Sequence, residues 1–284
     1  MQILDGKALA QDIENTIQQE VQSLNKNGIT PGLAVILVGN DPASQSYVNM
    51  KAKACKRTGI YSITHEMPEN IQQDSLLQTI AMLNQNPNID GILVQLPLPK
   101  HIDTTAVLEA IAPHKDVDGF HPFNMGRVFA NLDGFVPATP MGVITLLKHY
   151  QIPLQGKNVV IVGASNIVGK PLGALFLNEN ATITLCHIYT QDLIKHTKAA
   201  DILCVAVGKP NLITKEMVKE GAIIVDIGIS KLDDGRIVGD VDFLNVSSCC
   251  SFITPVPGGV GPMTIASLLQ NTLKAAKFRN TKQG

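Results

Sequence analysis

Twice along this chain, short unbroken apolar runs alternate with helix-patterned segments, and this alternation restricts the fold more than any other feature. In the first series Leu9, Ile13, Ile17, Val21 and Leu24 recur at helical spacing until Gly28 and Pro31 end the pattern. Residues 33–38 then form an apolar run that stops at Gly39-Asn40-Asp41-Pro42. Helical patterns follow over 44–56 and 75–83, and a second buried strand over 91–95 is closed by Leu96-Pro97-Leu98-Pro99. Buried strands separated by helices of about ten residues or more pair in parallel through right-handed crossovers. The expected class is α/β.

Between residues 116 and 140 the pattern dissolves into Gly, Pro and Asn with scattered apolar residues, as a connection between domains would. Strand-like runs resume at 159–162, 182–186, 202–207 and 223–227, with helical segments after the first three. That second series is long enough to be an independent nucleotide-binding domain. A last helix follows Pro255-Val-Pro257-Gly-Gly259-Val-Gly261-Pro262 and carries Ile265, Leu268, Leu269 and Leu273 on one face, with Pro262 near its first turn. At roughly 100–200 residues per domain, 284 residues favour two domains.

Composition removes several function classes. With 23 Lys+Arg against 24 Asp+Glu, the net charge of -1 argues against a broad basic surface for nucleic acid. There is no Trp and only 4% aromatic content, which disfavours base-stacking platforms. No apolar run approaches the roughly 20 residues of a membrane span, so no membrane partner is expected. Asp5 and Lys7 would interrupt a secretory signal, and Asp12 and Glu14 disfavour a transit peptide, which leaves the cytoplasm as the expected location. Five cysteines without a C-x-x-C pair suit neither a disulfide framework nor a zinc site, and the seven histidines include no H-x-x-x-H pair, so no metal is expected. Cys55, Cys186 and Cys204 read as small core residues, whereas the adjacent Cys249-Cys250 pair has no evident reason.

The run at 159–162 leads into Gly163-Ala-Ser165-Asn-Ile-Val-Gly169-Lys-Pro171, a small-residue loop opening a helix. Such a loop lets backbone amides approach a pyrophosphate, which the positive end of the helix stabilises. Its spacing is not G-x-G-x-x-G, and a tight strand-to-helix turn is an equally good reading of the loop alone; the four strands around it favour a dinucleotide. The next strand ends at Cys186-His187-Ile188-Tyr189-Thr190, which offers neither the acid that would hold an NAD ribose nor the Arg that would hold a 2′-phosphate. Cofactor preference is open at this level.

Tyr47 and Lys51 lie four residues apart in a helical stretch, so phenol and ammonium share a face. A helix lysine is ordinarily a solvated charge. Here the helix starts just after a strand end, the edge of an α/β sheet where ligands gather, and Gln95 ends a second strand where a polar side chain is aimed at a site or at solvent. Asp116-Val-Asp118-Gly119 suits a simple turn and lacks the further ligands of a calcium loop, yet Asp118 stands where one domain hands over to the next. His121 and the other histidines read as polar or capping residues.

Five segments, in order, resemble the bifunctional methylenetetrahydrofolate dehydrogenase/cyclohydrolase family: Ser46-Tyr-Val-Asn-Met-Lys51-Ala-Lys-Ala-Cys55, Gly91-Ile-Leu-Val-Gln95-Leu-Pro-Leu-Pro99, Lys115-Asp-Val-Asp118-Gly-Phe-His-Pro122, Gly163-Ala-Ser-Asn-Ile-Val-Gly169 and Pro255-Val-Pro-Gly-Gly-Val-Gly-Pro-Met-Thr264. The resemblance spans nearly the whole chain. It implies a folate-binding α/β catalytic domain, residues 1–120 completed by 262–284, with a Rossmann-like NAD(P)-binding domain, 140–255, inserted between them and a cleft holding folate and cofactor. It also implies a homodimer, NADP-dependent oxidation of 5,10-methylene-tetrahydrofolate to methenyl-tetrahydrofolate, and hydrolysis of that product to 10-formyl-tetrahydrofolate. By the same match Lys51 is the acid/base, Gln95 and Tyr47 assist it, and Asp118 grips the pterin. Pro257, Gly258 and Gly259 pass close to folate; Gly163, Ala164 and Ser165 bind phosphate, Ile188 lies at the 2′ position and Ile229 near the nicotinamide. Relatives often carry Arg at the position of Ala164, or Ser or Arg at that of Ile188, so the two apolar residues here keep NAD use open. Ala138 replaces a frequent Cys without evident consequence. An oxidoreductase of the same architecture acting on another small molecule, or a dinucleotide-sensing module, would leave Tyr47, Lys51, Gln95 and Asp118 unexplained.

Overall fold

A computed structural model describes residues 1–281, and the chain divides into two compact units, each assembled from separated segments. One unit comprises Gln11–Arg127, Leu132–Ala138 and the chain from Ile265 onward. Its sheet has three parallel strands in the order Tyr61–Met67, Gly32–Val38, Gly91–Val94. All seven residues of the central strand are buried because both faces are covered, which is why it reads as a continuous apolar run. Its alternate residues separate cleanly. Leu33, Val35 and Leu37 pack with Ile17, Val21, Val48 and the Leu268, Leu269 and Leu273 of the last helix, Val260–Thr281. Ala34, Ile36 and Val38 pack with Leu76, Ile80 and Leu83 of the helix Gln73–Gln85.

The helix Pro42–Thr58 follows the central strand directly. Asp41 caps it by accepting the Ser44 amide at 2.8 Å, Pro42 occupies its first turn, and Gly59 ends it in the left-handed region at φ 79°. The sequence pattern missed the strand Tyr61–Met67. It is only partly buried and carries polar residues such as Ser62, Thr64 and Glu66.

The other unit comprises Met1–Ala10, Val128–Asn131 and Thr139–Thr264. Six parallel strands lie in the order Gln2–Ile3, Phe252–Ile253, Ile223–Asp226, Ile202–Val205, Asn158–Val162, Thr182–Cys186. The first ten residues therefore pack with the later sheet, whereas the sequence reading ran 1–120 as one segment. Two backbone bonds cause this: the Gln2 amide donates to the Ser251 carbonyl at 2.8 Å, and the Leu4 amide to Ile253 at 2.9 Å. The helix Gly169–Asn178 follows its strand as expected, but the later connections hold only the five-residue helix Leu193–Thr197 and a three-residue 3-10 turn, Lys215–Met217.

The segment read as a patternless connection contains the helix Pro122–Phe129 and leads into Ala138–His149. His121 Nδ1 accepts the Phe123 amide at 3.0 Å, the capping part expected of it. All five cysteines are free and buried, and Cys249 and Cys250 sit in the apolar core of the larger sheet. Among the described residues no helix is long and apolar enough to cross a membrane, and no group of three or more His, Cys, Asp or Glu is placed to hold a metal ion.

Candidate active site

In the three-stranded unit the parallel strands Gly32–Val38 and Gly91–Val94 end on the same edge, which brings the helix start at Pro42 and the strand end at Gln95 to one place. Lys51 is only 7% exposed, an unusual condition for a lysine. Its Nζ donates to Gln95 Oε1 at 3.0 Å. The amide of Gln95 is itself fixed, because Nε2 donates to the Leu96 carbonyl at 2.7 Å and the backbone N–H to Ile36 at 2.8 Å. Gln95 thus turns its oxygen, and no competing donor, towards the lysine.

Burial lowers the pKa of Lys51, with the Asp118 carboxylate pulling the other way. Burial pushes Asp118 up to about 6; Lys51 opposes that rise and the like charge of Asp116 adds to it. Burial thus favours the neutral form of both groups, and the charge of each partner opposes that shift. Tyr47, one turn before Lys51 on the same helix, is also raised by burial.

Asp118 is held by a braced turn. Asp116 accepts the amides of Phe120 at 3.1 Å and His121 at 2.8 Å and the side chain of Asn124 at 2.8 Å. Gly119 has φ +75°, and a Cβ there would come within 2.6 Å of Pro137 N. Asn271 of the last helix closes the turn by donating to the carbonyls of Val117 at 2.8 Å and Val136 at 2.9 Å. Within the Asp-x-Asp motif, Asp116 builds the turn and Asp118 carries the charge beside Lys51. Asn271 and Asn124 were not singled out from sequence, since a lone Asn carries no motif.

The six-stranded unit carries the remaining candidates. Gly163 adopts φ +119°, and a Cβ there would lie 2.2 Å from the Ala206 carbonyl oxygen. A Cβ on Gly169 would lie 1.8 Å from the Gly163 oxygen. Only glycine fits this strand-loop-helix junction, which lies at the positive end of a ten-residue helix and suits a dinucleotide pyrophosphate. Ser165 Oγ accepts the Val168 amide at 3.1 Å and so shapes the loop. Ala164 is half-buried, Ile188 is 90% exposed and Ile229 is 43% exposed. The turn around Ile188 is closed by the His187 amide donating to Thr190 Oγ1 at 2.8 Å.

Pro257, Gly258 and Gly259 belong to this second unit as well. Gly258 has φ +111° and accepts the Lys7 amide at 2.9 Å, while a Cβ on Gly6 would fall 1.9 Å from the Gly259 oxygen. The N-terminal Gly6-Lys7 step thus braces the glycine turn, a role the sequence did not signal. Lys51, Gln95 and Asp118 come together, with Tyr47 on the same helix; the cofactor-loop and Pro257–Gly259 candidates lie in the other unit.

Residues 4–118 match the catalytic domain of tetrahydrofolate dehydrogenase/cyclohydrolase, and residues 137–280 match the NAD(P)-binding domain of the same enzymes. The chain is 71% identical over 280 residues to the bifunctional protein FolD of Wolinella succinogenes, covering 98% of each. The crystal structure of the FolD methylenetetrahydrofolate dehydrogenase/cyclohydrolase from Campylobacter jejuni superposes with a TM-score of 0.97 at 55% identity, covering 98% of this chain and 99% of that one. The Trypanosoma brucei enzyme, solved with NADP cofactor and inhibitor, superposes with a TM-score of 0.94 at 37% identity, covering 99% and 98%. Two domain matches in order, and identity of this degree over the full length, establish that the chain belongs to the tetrahydrofolate dehydrogenase/cyclohydrolase family.

Proposed function

We propose that this enzyme performs both family reactions with Lys51 as the acid/base of the hydrolytic step, Gln95 and Tyr47 assisting it, Asp118 gripping the pterin, and NADP as the oxidant. The observation that carries the reading is the buried Lys51 ammonium, bonded to Gln95 at 3.0 Å with the Asp118 charge beside it. Hydrolysis adds water to the methenyl carbon. One water proton passes to the Lys51 amine, the amine returns a proton to the ring nitrogen, the C–N bond breaks, and one proton is released overall. A lysine at its ordinary pKa of about 10.4 holds its proton too tightly for this, so burial and a cationic substrate both help. Gln95 holds the amine in line, and Tyr47 stacks on the substrate with its hydroxyl near the proton path. The ionised Asp118 offers two oxygens to the planar N–H edge of the pterin.

Bound NAD(P) supplies the hydride acceptor for the oxidation. The residues proposed to hold it are Gly163, Ala164 and Ser165 at the phosphates, Ile188 at the 2′ position and Ile229 towards the nicotinamide, and the chain's contribution is orientation. Pro257, Gly258 and Gly259 are proposed as the stretch whose backbone approaches folate. The proposed functional division is 1–120 plus 262–284 for folate and 140–255 for the dinucleotide, with the first ten residues packed on the six-stranded sheet.

NADP is supported by the NADP-bound Trypanosoma brucei relative. The apolar Ala164 and Ile188 favour a second reading, relaxed use of NAD. The ratio of kcat/KM for the two dinucleotides decides: a preference for NADP is expected, and a strong preference for NAD reverses the assignment. Family resemblance also supports a homodimer in the cytoplasm, which sedimentation and fractionation would test. The central experiment is Lys51→Met. It should reduce methenyl hydrolysis by at least about a hundredfold with folate binding largely retained, and undiminished hydrolysis removes Lys51 from its role.

A further inference from the structure

The strand Ile223–Asp226 ends in a buried carboxylate, and a second one, Asp240, is fully buried beside it. Asp226 accepts three backbone amides: Gly228 at 3.0 Å, Asp240 at 3.0 Å and Val241 at 2.9 Å. Asp240 Oδ2 accepts two more, Val207 at 2.7 Å and Gly208 at 3.0 Å. Glycines flank the pair because nothing larger fits. A Cβ on Gly228 would lie 2.2 Å from Asp240 Cγ, and one on Gly239 would lie 1.9 Å from Asp226 Oδ2. Together the two acids bind the turns after the strands Ile202–Val205 and Ile223–Asp226 into one piece.

Those turns sit at the carboxyl edge of the parallel sheet, where α/β folds bind ligands. The turn held by Asp240 also touches the phosphate loop, since the Ala206 carbonyl occupies the space that a side chain on Gly163 would need. Asp240 spends both bonds on Val207 and Gly208 and leaves Oδ1 buried without a partner. A buried unpartnered carboxylate oxygen is costly, and a fold needing only a brace has cheaper choices, so the position is held for what the charged acceptor does to this turn.

We propose that Asp240 is a positioning residue for the dinucleotide: through the Val207 and Gly208 amides it sets the backbone against which the Gly163 loop rests, with Asp226 anchoring the assembly. This rests on the reading that the Gly163 loop binds the dinucleotide phosphates. The enzyme's two activities separate positioning from folding, because hydrolysis of methenyl-tetrahydrofolate consumes no dinucleotide.

The test is steady-state kinetics of Asp240→Ala and Asp240→Asn in the full chain, with NADP and NAD as probes, alongside Ala164→Asp, which places a negative charge in the phosphate loop. Asp240→Ala should raise the dinucleotide KM about tenfold or more with hydrolysis unchanged. Asp240→Asn, which keeps one acceptor oxygen for the two amides, should recover part of that loss; it also keeps the proposal testable if the alanine variant fails to fold. An unchanged dinucleotide KM in the Asp240 variants with a raised one in Ala164→Asp overturns the proposal alone. An unchanged KM in all three overturns the loop reading and the proposal with it. Parallel loss of oxidation and hydrolysis in Asp240→Asn reduces Asp240 to a structural brace and overturns the proposal.

Discussion

A carboxyl held at about 6 changes charge within the range in which a folate enzyme is assayed, so Asp118 gives the residue scale its sharpest test. Its rise has burial as the main cause, which means that the ionised form dominates above about 6 and is lost below it. If the carboxylate grips the pterin, folate affinity should fall by about tenfold for each pH unit below that point, and Asp118→Asn should bind weakly with no such dependence. Calorimetric titration from pH 5 to 8 distinguishes the two profiles. The sign for stability is the opposite. The folded chain binds this proton more tightly than the unfolded chain, so the contribution is full below the ordinary carboxyl pKa and disappears as pH rises through about 6. Asp118→Asn should therefore raise Tm at pH 8 and leave it unchanged at pH 4. Tyr47, Lys51 and Gln95 could be picked out as candidates because helical spacing and strand ends are visible in one dimension, and Asp118 because it stands where one domain hands over to the next. Asp226 and Asp240 were not, since their meeting depends on a hairpin, Ser230–Lys231 with Ile237–Val238, too short to carry a periodic signal.

Burial on both faces made the central strands readable, and partial burial hid others. The run Gly32–Val38 announces itself, whereas Tyr61–Met67 is only partly buried and mixes polar and apolar residues. Similarly, Pro122–Phe129 lay in a stretch rich in Gly, Pro and Asn, and its order comes from His121 and Asn124 bonding to backbone groups that no pattern names. Helix propensity alone gives the wrong sign at Gly169. Replacing a helical Gly by Ala ordinarily gains up to about 1 kcal/mol. Here the new Cβ would lie 1.8 Å from the Gly163 oxygen, a backbone atom that cannot rotate aside. Gly169→Ala should instead cost about 1–3 kcal/mol and raise the dinucleotide KM, as urea unfolding and steady-state kinetics would register.

Over the whole chain, each unit is closed by segments distant in sequence. The family resemblance implied half of this, that the last helix completes the first series of strands, and the apolar face at Ile265, Leu268, Leu269 and Leu273 packs there. It did not suggest that the first ten residues join the later sheet, since Gln2–Ile3 is a two-residue strand defined only by its backbone bonds. The last helix is therefore structural for the three-stranded unit in two ways. Leu269, fully buried, fills the core beneath the strand that leads to the Lys51 helix, and Asn271 braces the Asp118 turn. Leu269→Ala should cost about 2–5 kcal/mol by lost burial and the cavity left behind, read as a lower urea midpoint. Asn271→Ala removes bonds to the buried Val117 carbonyl and the part-buried Val136 carbonyl at a smaller cost, about 1–3 kcal/mol, yet should weaken folate binding more, because the Val117 carbonyl belongs to the turn that carries Asp118. If the two variants lose folate affinity in proportion to their stability, the helix serves only as core; if Asn271→Ala loses affinity out of proportion, the chain's last helix also shapes the site.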